Sequence, residues 1–461
     1  MANSALVNTH GQWSSRWTFI LAATGSAVGL GNIWKFPYMA GESGGAVFVL
    51  VYLLCIAVLG IPVMIAEVLL GRAGRQSPIN TMRTMVAKSS ANRAWVSIGW
   101  MGVLAGIFIL SFYSVIAGWA MHYTTIAVSG GFSDLTGEAA STLFSDFIDD
   151  PAKLIYWHSA FMILTVGVVM SGVTRGLAIV ARYLMPLLFV MLAALLFYAA
   201  TQGAFKEALA FLFQPRLAQF NWESVLNAMG HAFFTLSLGM GAIMAYGSYM
   251  PGNASITKTV FMVGFLDTLV ALVSGLVIFP VVFASGLSAS SGPGLLFQSL
   301  PIAFGSMDGG LVIGSVFFIL VCIAAWSSSV SLIEPAIAWL AEKSGYNRAK
   351  ASIVMGLITW AIGVFVAFSF NLLAGFKPWF LLGKNGFDFL DFLTSKIMLP
   401  LGGLLIALFV GHYLLSRITR EQLGASSNEK AFTFWLFMVR YISPALVATV
   451  MIFFLYEALF A

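Results

Sequence analysis

The chain has 461 residues, of which 60% are hydrophobic and only 9% are charged, and its formal net charge is +5. Soluble domains carry about 25% charged residues, so this composition excludes a water-facing globular protein and indicates that most of the chain lies in lipid. We attribute the positive excess to membrane orientation, and no nucleic-acid partner is expected.

Eleven apolar stretches are each long enough to cross a bilayer as a helix, which takes about 20 residues. The long connections 128–153 and 288–308 could carry short helices or serve as plain tethers. We therefore predict an all-α polytopic membrane protein. Its spans, in chain order, are expected at residues 17–40, 45–71, 97–127, 154–172, 176–201, 223–249, 255–287, 309–343, 349–371, 387–416 and 432–459.

Basic residues collect in alternate connections between the predicted spans. The densest group lies between spans 2 and 3 and consists of Arg72, Arg75, Arg83, Lys88 and Arg93. The next connection instead carries acidic residues, among them Asp134 and Asp150. The positive-inside rule then predicts a cytoplasmic N-terminus. With an odd number of spans, the C-terminus is expected outside.

Glycine interrupts two of the spans. Residues 25–32 break span 1 and residues 234–241 break span 6, and the two spans hold corresponding places in two halves of five spans. Close packing of small residues would explain either segment alone. Unwound backbone at membrane depth exposes amides and carbonyls that lipid cannot satisfy, and paired interruptions are typical of a transporter's binding site. Asn32, Thr235 and Ser237 in these segments favour a binding site.

Further polar residues lie inside apolar spans. Span 8 contains Ser327, Ser328 and Ser329, and span 7 contains Asp267. A serine in a membrane helix usually bonds to a carbonyl of its own turn, so each serine alone is weak evidence. A carboxyl group at the bilayer centre costs roughly 2.5–3.5 kcal/mol to insert, so we interpret Asp267 as functional.

Three motifs resemble those of the neurotransmitter:sodium symporter family, in particular its bacterial amino-acid branch. They cover residues 13–37, 232–239 and 324–331, and the similarity extends over nearly the whole chain. The resemblance implies a single transporter domain, 1–461, with the leucine-transporter-like fold of two inverted five-helix repeats and broken helices 1 and 6. The implied repeats are residues 17–201 and 223–416, with span 11 at residues 432–459 outside them.

The resemblance also implies a function. We expect a sodium-coupled symporter of a bacterial inner membrane that imports neutral hydrophobic L-amino acids, both aliphatic and aromatic, by alternating access. A proton-coupled transporter of the same fold, with Asp267 or Lys396 as the proton carrier, is the alternative. A channel would need rings of like polar groups along one pore. No nucleophile–base constellation indicates an enzyme, and no organic cofactor is expected.

The substrate site is implied residue by residue. Monoamine-transporting members of the family carry an aspartate at the position of Gly29, and glycine instead leaves room for the substrate's α-carboxylate. The remaining pocket is apolar, which predicts that charged side chains are rejected. The implied substrate-binding residues are Ala27, Gly29, Leu30, Gly31, Ile109, Tyr113, Phe234, Thr235, Ser237, Met240, Ser328, Ser329 and Leu332.

Two sodium sites built from oxygen ligands are implied in the same way. Asp267 stands where the family often has an amide, and it supplies the negative charge that chloride supplies in many animal members, so transport is expected to be chloride-independent. The ligands implied for the first site are Ala27, Asn32, Thr235 and Asp267. Those of the second are Gly25, Val28, Ala324, Ser327 and Ser328.

Two gates complete the implied transport pathway. The outer gate pairs Lys35 with Asp391 above the substrate site. At the inner gate the family usually has an arginine where this chain has His10, opposite Glu342. A histidine is only partly charged near pH 7, so this pair is expected to be weaker and pH-dependent.

Overall fold

The computed structural model of the protein describes residues 11–13, 15–201, 203–214, 222–289, 294–378, 382–424 and 428–460. Nine helices in this part of the chain are long and apolar enough to span a membrane without a break. They are Ala46–Gly74, Arg93–Val128, Pro151–Met170, Val173–Ala200, Ile256–Ala284, Gly310–Ser344, Arg348–Phe368, Gly386–Tyr413 and Glu429–Phe453. These helices are spans 2 to 5 and 7 to 11 of the prediction.

Spans 1 and 6 are the two interrupted spans. Span 1 consists of Arg16–Ala27, Gly31–Lys35 and Phe36–Glu42, and span 6 consists of Trp222–Thr235 and Ala242–Tyr249. With these two, the described residues contain eleven spans. The predicted all-α fold with broken spans 1 and 6 is therefore confirmed.

The break in span 1 brings backbone close to neighbouring side chains. Val28 leaves the helical region with φ −74° and ψ 108°. A Cβ atom built on Gly29 would collide with the hydroxyl groups of Tyr113 and Ser328. Only a glycine therefore lets spans 3 and 8 approach the unwound segment this closely.

The break in span 6 depends on left-handed backbone. Gly239 and Gly241 both have φ +74°, and Ser237 has φ +55°. The left-handed region is open to glycine but costs a serine roughly 1–3 kcal/mol. Contacts from other spans hold the segment: the Ser237 hydroxyl donates to the Ser26 carbonyl at 3.0 Å, and the Gly239 amide donates to the Glu67 carboxylate at 2.9 Å.

Spans 1, 3, 6 and 8 meet in the interior of the molecule. Spans 3 and 8 lie against each other over much of their length, and span 2 packs on the second half of span 6. In span 3, 83% of the most apolar stretch is buried inside the molecule, compared with 22% in span 11. Span 11 therefore lies at the periphery. Short helices occupy connections at Pro78–Lys88, Gly137–Ile148, Phe205–Phe213, Leu295–Ser306 and Ser416–Leu423.

Candidate functional site

A first oxygen cluster, Asn32, Thr235 and Asp267, joins spans 1, 6 and 7. The Asn32 Nδ2 donates to Asp267 Oδ1 at 2.7 Å and to the Asp267 carbonyl at 3.0 Å. The Thr235 hydroxyl donates to the same Oδ1 at 2.9 Å. The hydroxyl of Tyr52 in span 2 donates to Asp267 Oδ2 at 3.4 Å. Tyr52 was not among the residues predicted for this site. Three of the four residues predicted for the first sodium site therefore touch one another.

Among the described residues, the Asp267 carboxylate has no cationic partner. The side chain is completely buried. Within the described part of the chain, no lysine, arginine or histidine nitrogen lies within 4.0 Å of its carboxylate. Neutral hydrogen bonds alone do not offset the cost of burying a charge. The cluster therefore suits a bound cation beside the carboxylate, or a proton on it.

A second oxygen cluster lies where span 8 crosses the unwound part of span 1. The Ser328 hydroxyl lies 2.9 Å from the Val28 carbonyl and 3.2 Å from the Gly25 carbonyl. The Ser327 hydroxyl lies 3.0 Å from the Ala324 carbonyl and 3.5 Å from that of Val28. All five residues predicted for the second sodium site therefore converge. Carbonyl and hydroxyl oxygens are the ligands that hard cations prefer.

A central cavity lies between the two clusters. It is bounded by the broken segments of spans 1 and 6 and by spans 3 and 8, and none of the described residues that line it is charged. Ten of the thirteen predicted substrate-binding residues line it: Ala27, Gly29, Gly31, Ile109, Tyr113, Phe234, Ser237, Met240, Ser328 and Leu332. The Tyr113 hydroxyl at its rim accepts a hydrogen bond from the Leu30 amide at 3.1 Å.

The cavity is narrow in this conformation. Its volume is about 20 Å³, which is room for about one water molecule. A larger ligand therefore requires lining side chains to change rotamer. Met240 is the most adaptable of them, because it is unbranched and polarisable.

The other three predicted residues lie elsewhere. Leu30 lines the outer vestibule above the cavity, and Thr235 belongs to the first oxygen cluster. The Ser329 hydroxyl turns away to Thr165 of span 4, at 2.8 Å. Ser26 also lines the cavity, although it was not among the predicted residues. Its hydroxyl donates to the Ser331 hydroxyl at 2.7 Å.

The outer vestibule is a space of about 150 Å³ that shares Gly31, Tyr113 and Phe234 with the central cavity. Lys35 and Asp391, the predicted outer gate, both line it and form a salt bridge of 2.9 Å. The Lys35 ammonium also lies 4.7 Å from the centre of the Phe234 ring. This ion pair therefore joins spans 1 and 10 directly above the aromatic roof of the cavity.

Aromatic packing closes the opposite end of span 1. The Trp13 amide donates to the Tyr249 carbonyl at 3.1 Å. The Trp13 ring meets the rings of Phe19, Tyr246 and Tyr249 edge to face, with centroid distances of 5.4, 5.0 and 5.7 Å. The start of span 1 is thereby packed against the end of span 6.

The predicted inner gate is described only in part. His10 lies outside the described residues. Glu342 accepts hydrogen bonds from the Ser77 amide at 2.8 Å and from the Asn80 side chain at 2.6 Å, and also from the Ser77 hydroxyl. These contacts attach the end of span 8 to the first turn of the helix Pro78–Lys88.

Two further buried carboxylates hold the interrupted helices, and the sequence analysis selected neither. Glu67 accepts the Gly239 amide inside the break of span 6. Glu334 accepts the Tyr249 hydroxyl at 2.6 Å and pairs with Arg348. Both side chains are fully buried. The signal that selected Asp267, a carboxyl group inside an apolar span, was present at both positions.

Comparisons with known proteins agree with this architecture. The sequence model of the sodium:neurotransmitter symporter family matches residues 10–134 and 140–459. The uncharacterized sodium-dependent transporter YhdH of Bacillus subtilis is 35% identical, over 95% of this chain and 96% of its own length. An uncharacterized sodium-dependent transporter of Haemophilus influenzae is 30% identical, over 95% and 97%.

Among solved structures, the crystal structure of MhsT in complex with L-phenylalanine is similar to this chain. The two share 42% sequence identity and superpose with a TM-score of 0.87, over 96% of this chain and 99% of MhsT. The matched family consists of sodium-dependent transporters, which agrees with the predicted sodium-coupled transport and with the prediction that the chain is no enzyme. The chain belongs to the sodium:neurotransmitter symporter family.

Proposed function

We propose that this protein imports neutral, hydrophobic L-amino acids together with sodium ions by alternating access. One observation carries the proposal: an uncharged cavity over Gly29 lies between two clusters of hard oxygen ligands. The similarity to MhsT, whose crystal structure contains L-phenylalanine, supports an amino acid as the substrate.

The two oxygen clusters are the proposed sodium sites. In the first, a sodium ion would take the place of the hydrogen-bonded contacts among Asn32, Thr235 and Asp267, with the Ala27 carbonyl as a further ligand. In the second, Ser327 and Ser328 would complete a shell of span 1 carbonyls. Both proposed sites would use carbonyls of span 1 at or next to its break, Ala27 in the first and Gly25 and Val28 in the second. Sodium binding would therefore stabilise the conformation that forms the substrate cavity.

The central cavity accounts for the proposed substrate class. The substrate's α-carboxylate would lie by Gly29, near the Tyr113 hydroxyl and the first sodium, where an aspartate side chain would repel it. Ile109, Met240 and Leu332 offer only apolar contact to the side chain. A charged side chain would lose its hydration there without gaining a partner, so acidic and basic amino acids would be rejected.

The closing elements fit alternating access. Lys35 with Asp391 would be the outer gate, and the Trp13 cluster with His10 and Glu342 would form the inner gate. Movement of the repeat at residues 17–201 against that at residues 223–416 would open one gate at a time. The N-terminus would lie in the cytoplasm of a bacterium and the C-terminus outside, as the basic connections predict.

Thermal stability of the purified protein with each of the twenty amino acids tests the substrate class. In sodium buffer we expect aliphatic and aromatic amino acids to raise Tm, and Asp, Glu, Lys and Arg to leave it unchanged. A ligand at 100 times its Kd adds about 2.7 kcal/mol to the folded state, which is readily measured. In choline buffer the increase should disappear.

Two results would contradict the proposal. A Tm increase with charged amino acids alone would overturn the assignment of the cavity. Equal stabilisation in choline would remove the role of sodium, and uptake in choline driven by a pH gradient would then support proton coupling instead.

Gly29→Ala tests the assigned position of the substrate. The new Cβ atom would lie 2.7 Å from the Tyr113 hydroxyl and against Ser328, so it would occupy the space proposed for the carboxylate. We expect amino-acid affinity to fall at least tenfold, or about 1.4 kcal/mol. Gly264→Ala in span 7 is the matched control, because its Cβ would meet Ile61 at an ordinary 3.5 Å. Unchanged affinity in Gly29→Ala would place the carboxylate elsewhere.

A further inference from the structure

A groove of about 570 Å³ opens to the outside of the helix bundle where the first turns of spans 1 and 7 meet. Its apolar part consists of Phe261, Met262 and Phe265, along one face of span 7. Phe261 is 54% exposed and Phe265 is 61% exposed. Within a membrane, such a face is in contact with acyl chains.

Two basic side chains, Arg16 of span 1 and Lys258 of span 7, form the rim of this groove. The Arg16 Nε donates to the buried Thr259 hydroxyl at 3.2 Å, which fixes the guanidinium against span 7. Among the described residues, no carboxylate lies within 4.0 Å of either basic group. The terminal nitrogens of Arg16 and the ammonium of Lys258 are therefore available to an external anion.

The depth of the rim matches a lipid headgroup. Trp17, next to Arg16, is 62% exposed on the outside of the bundle. Exposed tryptophans concentrate at the boundary between headgroups and acyl chains. Arg16 and Lys258 both belong to the first turn of their spans. The groove thus has two cations at headgroup level and aromatic and aliphatic side chains further along span 7.

We propose that this groove binds one anionic phospholipid. Its phosphate would lie between Arg16 and Lys258, and one acyl chain would follow Phe261, Met262 and Phe265. A guanidinium and an ammonium together match a headgroup with net negative charge, whereas a zwitterionic headgroup brings its own cation. Free phosphate would pair with the two basic side chains of the rim but would make no contact with the apolar side chains of the groove.

The site would connect the start of span 1 to span 7. Arg16 is the first residue of the segment Arg16–Ala27, which contributes the Gly25 carbonyl to the second oxygen cluster, and Lys258 belongs to the helix that carries Asp267. A lipid across the two would hold the start of span 1 against span 7. The bound lipid is therefore expected to raise the thermal stability of the protein even without substrate or sodium.

The test is native mass spectrometry and thermal melting of the detergent-purified protein with phosphatidylglycerol or phosphatidylcholine. We expect one phosphatidylglycerol to be retained and to raise Tm, and phosphatidylcholine to do neither. Lys258→Gln should weaken retention about fivefold, and Arg16→Gln with Lys258→Gln about 30-fold, which corresponds to about 1 kcal/mol for each base near an anionic headgroup. Lys258 is exposed, so its single substitution leaves the fold intact.

Two controls distinguish this groove from general basic surface. Lys88→Gln with Arg93→Gln removes two exposed bases, one before span 3 and one at its first residue. This double variant should leave phosphatidylglycerol retention unchanged. Arg16→Lys with Lys258→Arg keeps both positive charges, so this variant should retain most of the phosphatidylglycerol that the native protein retains. Equal retention by native protein and the Lys258→Gln variant would overturn the proposal. So would the same Tm increase from inorganic phosphate alone, since that identifies a free-anion site.

Discussion

Sodium-dependent substrate binding should be abolished when Ser327 and Ser328 are both replaced by alanine. Their hydroxyls supply two of the five oxygens in the second cluster, within 2.9–3.5 Å of the carbonyls of Gly25, Val28 and Ala324. Interactions with a charged group contribute about 1.5–3 kcal/mol each. The two together should lower sodium affinity about 100-fold or more.

The neighbouring serine provides a matched control for this prediction. Ser329→Ala removes a hydroxyl one residue away, but that hydroxyl bonds to Thr165 and to the Trp326 carbonyl. Substrate binding by the Ser329→Ala variant should therefore depend on sodium in the same way as binding by the native protein. Ser328 also lines the substrate cavity, whereas Ser327 does not. The single variant Ser327→Ala therefore separates loss of the cation site from loss of a substrate contact.

The measurement is binding of labelled leucine or phenylalanine across a sodium titration. A melting curve without ligand checks that each variant is folded. The second sodium site would be wrongly assigned if the folded double variant bound substrate with the native sodium dependence. Loss of sodium dependence in Ser329→Ala as well would indicate a general effect of the serine run.

The contrast between Ser328 and Ser329 marks one limit of the sequence analysis. Successive residues of a helix point about 100° apart, so a run of three serines cannot all face one site. Which serine faces the cavity depends on how span 8 is rotated against spans 1 and 4. That rotation is set by packing between residues far apart in the chain. The resemblance pointed to this segment, in which Ser328 lines the cavity and Ser329 faces Thr165.

The buried carboxyl groups show a second property that could not be predicted from the sequence. Glu67 and Asp267 are both carboxyl groups inside apolar spans, and the insertion cost applies equally to each. Their roles differ because Asp267 meets neutral side chains, whereas Glu67 accepts a backbone amide freed by the break in span 6. Glu67 and Gly239 are separated by 172 residues in sequence. The sequence could have identified Glu67 as functional or structural, but its partner requires the fold.

Span ends were predicted well where a turn residue or charge marks them, and less well elsewhere. Span 8 ends at Ser344 before Gly345, which has left-handed φ +67°. Span 10 stops at Tyr413, three residues before the predicted end at residue 416, because Leu414 adopts extended backbone with ψ 135°. No glycine or proline directly follows Tyr413 to mark that end. The helix Ser416–Leu423 then begins in a new direction.

Transport by the native protein should continue unchanged when chloride is replaced by gluconate, whereas Asp267→Asn should require chloride. Asp267 carries a negative charge beside the proposed first sodium, and Ala271, one turn later on span 7, is buried and uncharged. The asparagine has nearly the same shape but no charge. A sodium ion bound there would lack compensation, and a diffusible anion would have to supply it.

The expected size of the effect follows from the missing charge. We expect Asp267→Asn to transport at least tenfold more slowly than the native protein in gluconate, and added chloride to recover part of the rate. Glu67→Gln is the matched control: it neutralises another fully buried carboxylate, one that contacts the Gly239 amide instead of the first cluster. Whatever its own rate, that variant should not respond to chloride, because it leaves the charge beside the sodium intact.

Uptake of labelled amino acid into proteoliposomes, with sodium outside and either chloride or gluconate as the anion, measures all three proteins. If native transport stopped in gluconate, chloride independence would be wrong. If Asp267→Asn transported equally well in both anions, some other group would have to balance the sodium charge. A chloride response in Glu67→Gln alone would identify that group as Glu67. Glu67 and Asp267 are equally buried, so burial alone does not show which carboxylate balances the charge of the sodium ion. The chloride responses of the two variants decide between them.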